Sequence, residues 1–212
     1  MNFKYTRIAA LLCALLLTAA TAAQAMVLWD QSTIGYAAPI SIANWKASGF
    51  GGGTNHSVDD VTVSGSPWHV TSITEYYATF NTAWTSITQG YLHVYSKTGA
   101  LPTENPTVDG LVPMTFVITA DPNGVATLTA SGLNLTLPPG DYWIGITPVA
   151  TAGINGVNNQ WPAATLIGDP VATYDTAWHS YYPGYDGAMK VEGDIPTPTH
   201  NTTWGRIKAL YH

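Results

Sequence analysis

The residues able to do chemistry are few and scattered. Asp59-Asp60 opens an apolar stretch, Asp59-Asp60-Val61-Thr62-Val63. Paired acids at a loop-to-strand junction can bind calcium through carboxylate and backbone oxygens. No D-x-D-x-D spacing accompanies them, so calcium is expected at most as a structural ion, and capping of the strand is the plainer role for Asp59 and Asp60. Glycoside hydrolysis needs two carboxyl groups about 5 to 9.5 Å apart. The glutamates on offer are Glu75, Glu104 and Glu192, and their spacing suggests no pair. There is no G-x-S-x-G turn for a nucleophilic serine. Of the six histidines, His69 and His93 fall on strand patterns and read as cross-strand neighbours on a polar surface. No set of three or four converging zinc ligands is visible among them.

The densest chemical signal is aromatic. Residues 155–187 hold Trp161, Tyr174, Trp178, Tyr181, Tyr182 and Tyr185 among Asn, Gly, Pro and Asp. Aromatic faces beside amides and carboxylates can stack on sugar rings while the polar groups bind hydroxyls. Trp161, Trp178, Tyr181, Tyr182 and Tyr185 are therefore the candidate carbohydrate-binding residues. The competing reading is that these rings cover the open end of the fold.

These residues must be positioned by strands. Ser57–Val63, Trp68–Phe80, Gly90–Lys97, Pro113–Ala120 and Gly124–Ala130 alternate apolar and polar residues, the period of a half-buried strand. A bulge near Ser72-Ile73 would keep Ile73, Glu75 and Tyr77 in phase. Asp121-Pro122-Asn123-Gly124 is a hairpin turn by composition. Leu133, Leu135 and Leu137, then Tyr142, Ile144 and Ile146, alternate on either side of Pro138-Pro139-Gly140-Asp141 and read as a second hairpin. Later strands are expected over Val171–Tyr174 and Ala188–Gly193. Short strands with turns every 8 to 12 residues, and no βαβ rhythm, predict an all-β fold: an antiparallel β-sandwich, jelly-roll-like.

The chain begins with Lys4 and Arg7, an apolar run from Ile8 to Ala20, and Ala23-Gln24-Ala25. That is the pattern of a secretory signal peptide over 1–25, and the run is short for a membrane span. Cleavage leaves 212 − 25 = 187 residues. Cys13 is the only cysteine and lies in this leader, so a secreted chain would have no disulfide and no thiol chemistry. The leader carries two of the 7 Lys and Arg and none of the 13 Asp and Glu, so the remaining charge is 5 − 13 = −8. Such a chain is a poor partner for nucleic acid, whose phosphates require Lys and Arg. No later segment resembles a membrane span, so the expected product is secreted or held at the cell surface. The β domain is expected over 26–195, a Pro-Thr linker over 196–201, and a short amphipathic C-terminal helix or sorting tail over 202–212. In that tail Trp204, Ile207, Lys208 and Tyr211 share one helical face, with Gly205 beside them.

Three of these stretches, in this order, carry a resemblance: Asp59-Asp60-Val61-Thr62-Val63, Trp68-His69-Val70-Thr71-Ser72-Ile73 and Leu133 to Ile146, with Tyr95-Ser96-Lys97-Thr98-Gly99-Ala100-Leu101-Pro102 between the last two. Together they resemble secreted bacterial β-sandwich proteins of the PEP-CTERM or choice-of-anchor type. The ending Thr203-Trp204-Gly205-Arg206-Ile207-Lys208-Ala209-Leu210-Tyr211 resembles short tails on exported proteins. The Pro-Glu-Pro motif, terminal apolar helix and closing Arg cluster of the anchored members are not found. The resemblance implies an exported, surface-associated protein without an established catalytic mechanism, and it brings no functional residues to carry over. The expectation is therefore a non-catalytic, structural or adhesive extracellular protein whose partner is a glycan or another surface protein. The alternatives are a carbohydrate-binding module and, more weakly, a secreted glycoside hydrolase using Glu75.

Overall fold

The computed structural model describes residues 25–36, 42–43, 45–47, 54–78, 87–120, 122–150 and 159–196. The expected leader, the linker beyond Pro196 and the tail residues Trp204, Gly205, Ile207, Lys208 and Tyr211 lie outside the described residues. Thirteen strands are described: β1 Met26–Asp30, β2 Ile42–Ala43, β3 Trp45–Ala47, β4 Thr54–Val63, β5 Trp68–Ala78, β6 Gln89–Ser96, β7 Leu111–Ile118, β8 Val125–Leu137, β9 Gly140–Ala150, β10 Asn159–Gln160, β11 Ala172–Tyr174, β12 Trp178–His179 and β13 Met189–Asp194. A single 3-10 turn, Pro106–Val108, is the only helical element among the described residues.

The protein is all-β. Its strands form one sheet in the order β1-β13-β5-β8-β7-β6-β9-β3-β4-β11-β12, with β4 also paired directly to β9. Every pairing is antiparallel except the short contact of β3 with β9. The sheet bends into a half-barrel at β7. Leu111–Pro113 pair with β6, and Met114–Ile118 pair with β8. Pro113 sits at the change of partner, where its missing N–H breaks the ladder at least cost.

The bend brings β5, β8 and β13 against the inner face of β4, β9 and β6. One apolar cluster joins them, including Val61, Val63, Val70, Ile73, Leu128, Ile144, Ile146 and Val191. Burying side chains of this size contributes about 1.5–3 kcal/mol each. Glu75 crosses this core. Its Oε1 accepts a hydrogen bond from the Ile146 N–H at 2.8 Å, and its Oε2 accepts one from the Tyr77 hydroxyl at 2.8 Å. Tyr77 also donates to the Ile146 carbonyl at 3.2 Å. The bolt ties β5 to β9, two strands that are not ladder partners.

Two readings of the sequence fare differently. The bulge is present, because two steps of β5, Val70 to Ser72, stand against one step of β13, Gly193 to Glu192, and Ile73, Glu75 and Tyr77 all face inward. The expected hairpin across Pro138-Pro139 is not a hairpin. β8 and β9 do not pair; Leu137 lies opposite Trp68 of β5, whereas Gly140 lies opposite Val63 of β4. The tight turn is a crossover from one part of the folded sheet to the other, beside the β4–β5 turn. A further difference is that the expected strands 124–130 and 133–137 are one strand, β8.

Candidate functional site

The chemistry gathers on the other face of β4, β9 and β6. Alternation that turns Ile144 and Ile146 inward turns Trp143, Gly145 and Thr147 outward. Asp60 lies opposite Trp143 on one side and Tyr95 opposite it on the other. Tyr91 lies opposite Thr147, and His93 opposite Gly145. Gly145 is required here, since a Cβ would fall 2.2 Å from the Ser57 carbonyl oxygen. This outward face is still buried. Trp143, His56, His93 and Thr147 have no solvent exposure, so His93, expected on a polar surface, is interior, and His56 with it, whereas His69 and His179 are partly exposed.

His93 is the hub of a hydrogen-bonded array. Its Nδ1 lies 2.6 Å from Asp109 Oδ2, while its Nε2 lies 2.9 Å from Thr147 Oγ1 and 3.1 Å from His56 Nδ1. The Tyr95 hydroxyl also donates to Asp109 Oδ2. Carboxylate on one nitrogen fixes the proton on Nδ1 and leaves Nε2 as acceptor. Burial lowers the His93 pKa, outweighing the opposing pull of Asp109. Carboxylate, imidazole and hydroxyl in line make the relay of a nucleophilic enzyme. Here Thr147 has no solvent exposure. The array locks the strands. His69, expected beside His93, is instead bonded to Asp194 and Asn134 on the other part of the sheet.

A second cluster surrounds the acidic pair. Asp59 accepts N–H bonds from Gly187 at 2.6 Å and Asp60 at 2.9 Å. Asp186 Oδ2 accepts from Gln31 Nε2 at 2.6 Å and the Ile167 N–H at 2.5 Å. Asp60 Oδ2 meets Lys97 Nζ and the Asp169 N–H, and Lys97 Nζ also lies 2.8 Å from Asp169 Oδ2. Gly168, at φ +88°, lets this loop close over the Asp60 carboxyl. Burial, and then the charge of Asp186, pushes the Asp59 pKa well up. Burial pushes Asp186 up to about 6. Burial works against the Lys97 ammonium, but its hydrogen bonds to Asp169 and Asp60 prevail and hold its pKa above the ordinary lysine range. N–H donors and Lys97 meet one oxygen of Asp60 and one of Asp186, while the Oδ1 atoms of both are buried with no partner among the described residues. Among the described residues no three His, Cys, Asp or Glu side chains converge as a metal shell.

The aromatic candidates separate into three settings. Trp161 is buried beside Ala78, Val125 and Ala188, with Tyr36 edge-on at 5.4 Å, and belongs to the core. Trp178 is half-buried, donates its Nε1 hydrogen to the Glu104 carbonyl at 2.7 Å, and packs edge-on against Tyr174 and Tyr95. Tyr181 is exposed, stacks on His179 with ring centres 4.6 Å apart, and donates to Asp175. Tyr182 and Tyr185 are half-buried in the following turn. The five residues do not make one flat platform. Trp178 instead lines a cleft of about 390 Å³ with Tyr174, Leu101, Thr103, Glu104 and Asn105. That volume suits a small ligand. Glu104, which the sequence offered only as a glutamate without a pair, and its neighbours Thr103 and Asn105 are the polar groups missed as site residues; the adjacency of Glu104 to Trp178 comes from a contact 74 residues apart in the chain.

No family model, curated protein or solved structure matches the chain. Among the described residues no helix is long and apolar enough to cross a membrane.

Proposed function

We propose that the chain is an exported, non-catalytic β-domain that holds a carbohydrate-type ligand in the Trp178 cleft, in a structural or adhesive role at the cell surface. The cleft carries the reading. An aromatic wall from Trp178 and Tyr174 stands beside the carboxylate of Glu104, the amide of Asn105 and the hydroxyl of Thr103. Apolar ring faces suit the C–H face of a sugar, and the short polar side chains suit its hydroxyls. The binding set is thus Trp178 and Tyr174 with the 103–105 loop; Trp161 serves the core. Two observations favour the non-catalytic alternative over a hydrolase. Glu75 is spent on the Ile146 N–H and Tyr77, and the His93 relay is sealed.

The remaining parts of the reading follow from the sequence. The leader pattern supports export, and the order of motifs supports kinship with the secreted PEP-CTERM or choice-of-anchor type. The bend at β7, with one core between its two halves, supports a two-layer, jelly-roll-like sandwich. A glycan array with wild-type protein and Trp178→Ala tests the ligand class. The expected result is binding to a small set of glycans, reduced at least tenfold by the substitution. Failure of the folded wild type to bind any glycan sinks the sugar reading and leaves the structural one.

A further inference from the structure

Lys97 and Asp60 stand on opposite sides of β9. Lys97 directly follows β6, and its backbone N–H bonds to the Asp141 carbonyl at 2.8 Å. Asp60 projects from the middle of β4. Their side chains meet above Trp143, with Lys97 Nζ 4.8 Å from the centre of the ring. Both side chains are largely shielded, at 15% and 10% exposure, and Trp143 beneath them is fully buried.

Three features distinguish this contact from a surface ion pair. Nζ is in direct contact with Asp60 Oδ2, which sets the amine beside the carboxyl. Among the described residues Asp60 Oδ1 is buried with no hydrogen-bond partner, which leaves the carboxylate half solvated by the protein. Asp169, at 43% exposure, places a second carboxylate 2.8 Å from the same Nζ. A buried carboxylate with one oxygen unpartnered beside Asp59 and Asp186 is costly, and neutralising it by bond formation removes that cost.

We propose that Lys97 Nζ and Asp60 Cγ become joined by a side-chain amide. The Lys97 ammonium passes one proton to the Asp60 carboxylate and a second to Asp169 as the nitrogen lone pair attacks Cγ. A new N–C bond forms. The Cγ–OH bond then breaks, and the hydroxyl leaves with the proton returned by Asp169. The ion pair becomes a neutral amide and one water, with no change in oxidation state and no co-reactant. Asp169 is the proton carrier and ends as it began. Because the resting ion pair holds its protons firmly, proton transfer sets the rate and the bond forms slowly after folding. Fixed proximity favours the amide over hydrolysis, because intramolecular partners held in register behave as if at very high concentration. The crosslink would close the chain between residues 60 and 97 and tie β4 to β6 across β9. It would serve a chain with no cysteine among its described residues as a disulfide serves others.

Intact-mass measurement of the denatured, purified protein tests this, with the N-terminus fixed from its terminal peptide. The expected wild-type mass is one water below the sequence mass, and digestion releases a branched peptide joining the segments around Asp60 and Lys97. Lys97→Arg keeps the positive charge and is expected at full mass. Asp169→Asn keeps both reacting groups and is expected to leave most molecules unjoined. A wild-type mass equal to the sequence mass after long incubation, with Lys97 open to amine acylation once denatured, overturns the proposal and leaves an ion pair. Full crosslinking in Asp169→Asn overturns the role given to Asp169.

Discussion

Along β9, Tyr142, Ile144 and Ile146 point to one side and Trp143, Gly145 and Thr147 to the other. Ile144 and Ile146 meet an apolar core that a single polar bolt, Glu75 with Tyr77, crosses. Trp143 and Thr147 are equally inaccessible, yet their side holds two histidines, a lysine clamp and the wall of the cleft. The first side is buried by strands and tolerates few polar atoms. The second is covered by residues 97–109 and 167–182, which include the short strands β11 and β12, and many of its polar groups are paired, while among the described residues Asp60 Oδ1 and the Trp143 ring N–H are not. Loops can carry specificity because their sequence is not bound by sheet periodicity. A fold of this kind keeps stability on one side of a strand and recognition on the other.

Substitutions can break or sharpen that contrast. The largest effect is expected from Glu75→Ala, which strands a buried N–H and opens a hole between β5 and β9. A loss of about 3 kcal/mol, or about 6–12 °C in Tm, is expected by calorimetry. A loss below about 1 kcal/mol would show that the bolt is dispensable. His93→Phe keeps the volume and removes the hub of the outer array, at an expected cost of about 2 kcal/mol at pH 7. It should also flatten an acid-side slope. With the His93 pKa depressed below its ordinary 6.5, the unfolded chain binds the proton better, so wild-type stability falls as pH drops below that value. A variant that retains the full slope would place the responsible group elsewhere.

Asp186 has the opposite sign and the smallest expected effect. Its pKa is raised from 3.8 to about 6, so the folded state binds the proton better. The stability it contributes is complete below the lower value and is lost as pH rises through the higher one. Asp186→Asn removes the charge and is expected to stabilise the protein at pH 8 by about 1 kcal/mol, or about 2–4 °C in Tm. Most of that gain should vanish near pH 4. Equal Tm changes at both pH values would show that charge is not the cause.

The inner side was readable from the sequence and the outer side mostly was not. Period-two alternation announces Ile144, Ile146, Val61 and Val63, and even the bulge at Val70 to Ser72 follows from keeping Glu75 and Tyr77 in phase. Turn chemistry placed a reversal between β7 and β8 correctly, as their antiparallel register and the positive φ of Gly124 show, although Asp121 itself lies outside the described residues. The same chemistry misread Pro138-Pro139, because a tight turn specifies a change of direction and not which strand becomes the partner. His93 gave no local sign of burial, since its partners Asp109, Thr147 and His56 lie 16, 54 and 37 residues away. Trp161 and Trp178 sit in similar Asn, Gly and Pro surroundings, yet one is core and the other lines a cleft. Only the backbone bonds of Trp161 to Tyr76 and Ala188, made across the sheet, separate them.

The pairing of β1 with β13 sets an order of events. The first described strand has its ladder partner only in the last, and β5 shares that same partner. A chain emerging from its N-terminus must keep Met26–Asp30 and one edge of β5 unpaired until Met189–Asp194 is available. Two open edges for most of the synthesis time are an invitation to mispairing with a neighbour. Completion of this protein is therefore a single late event, and a chain stopped short of Met189 is left as a sticky intermediate rather than a smaller domain.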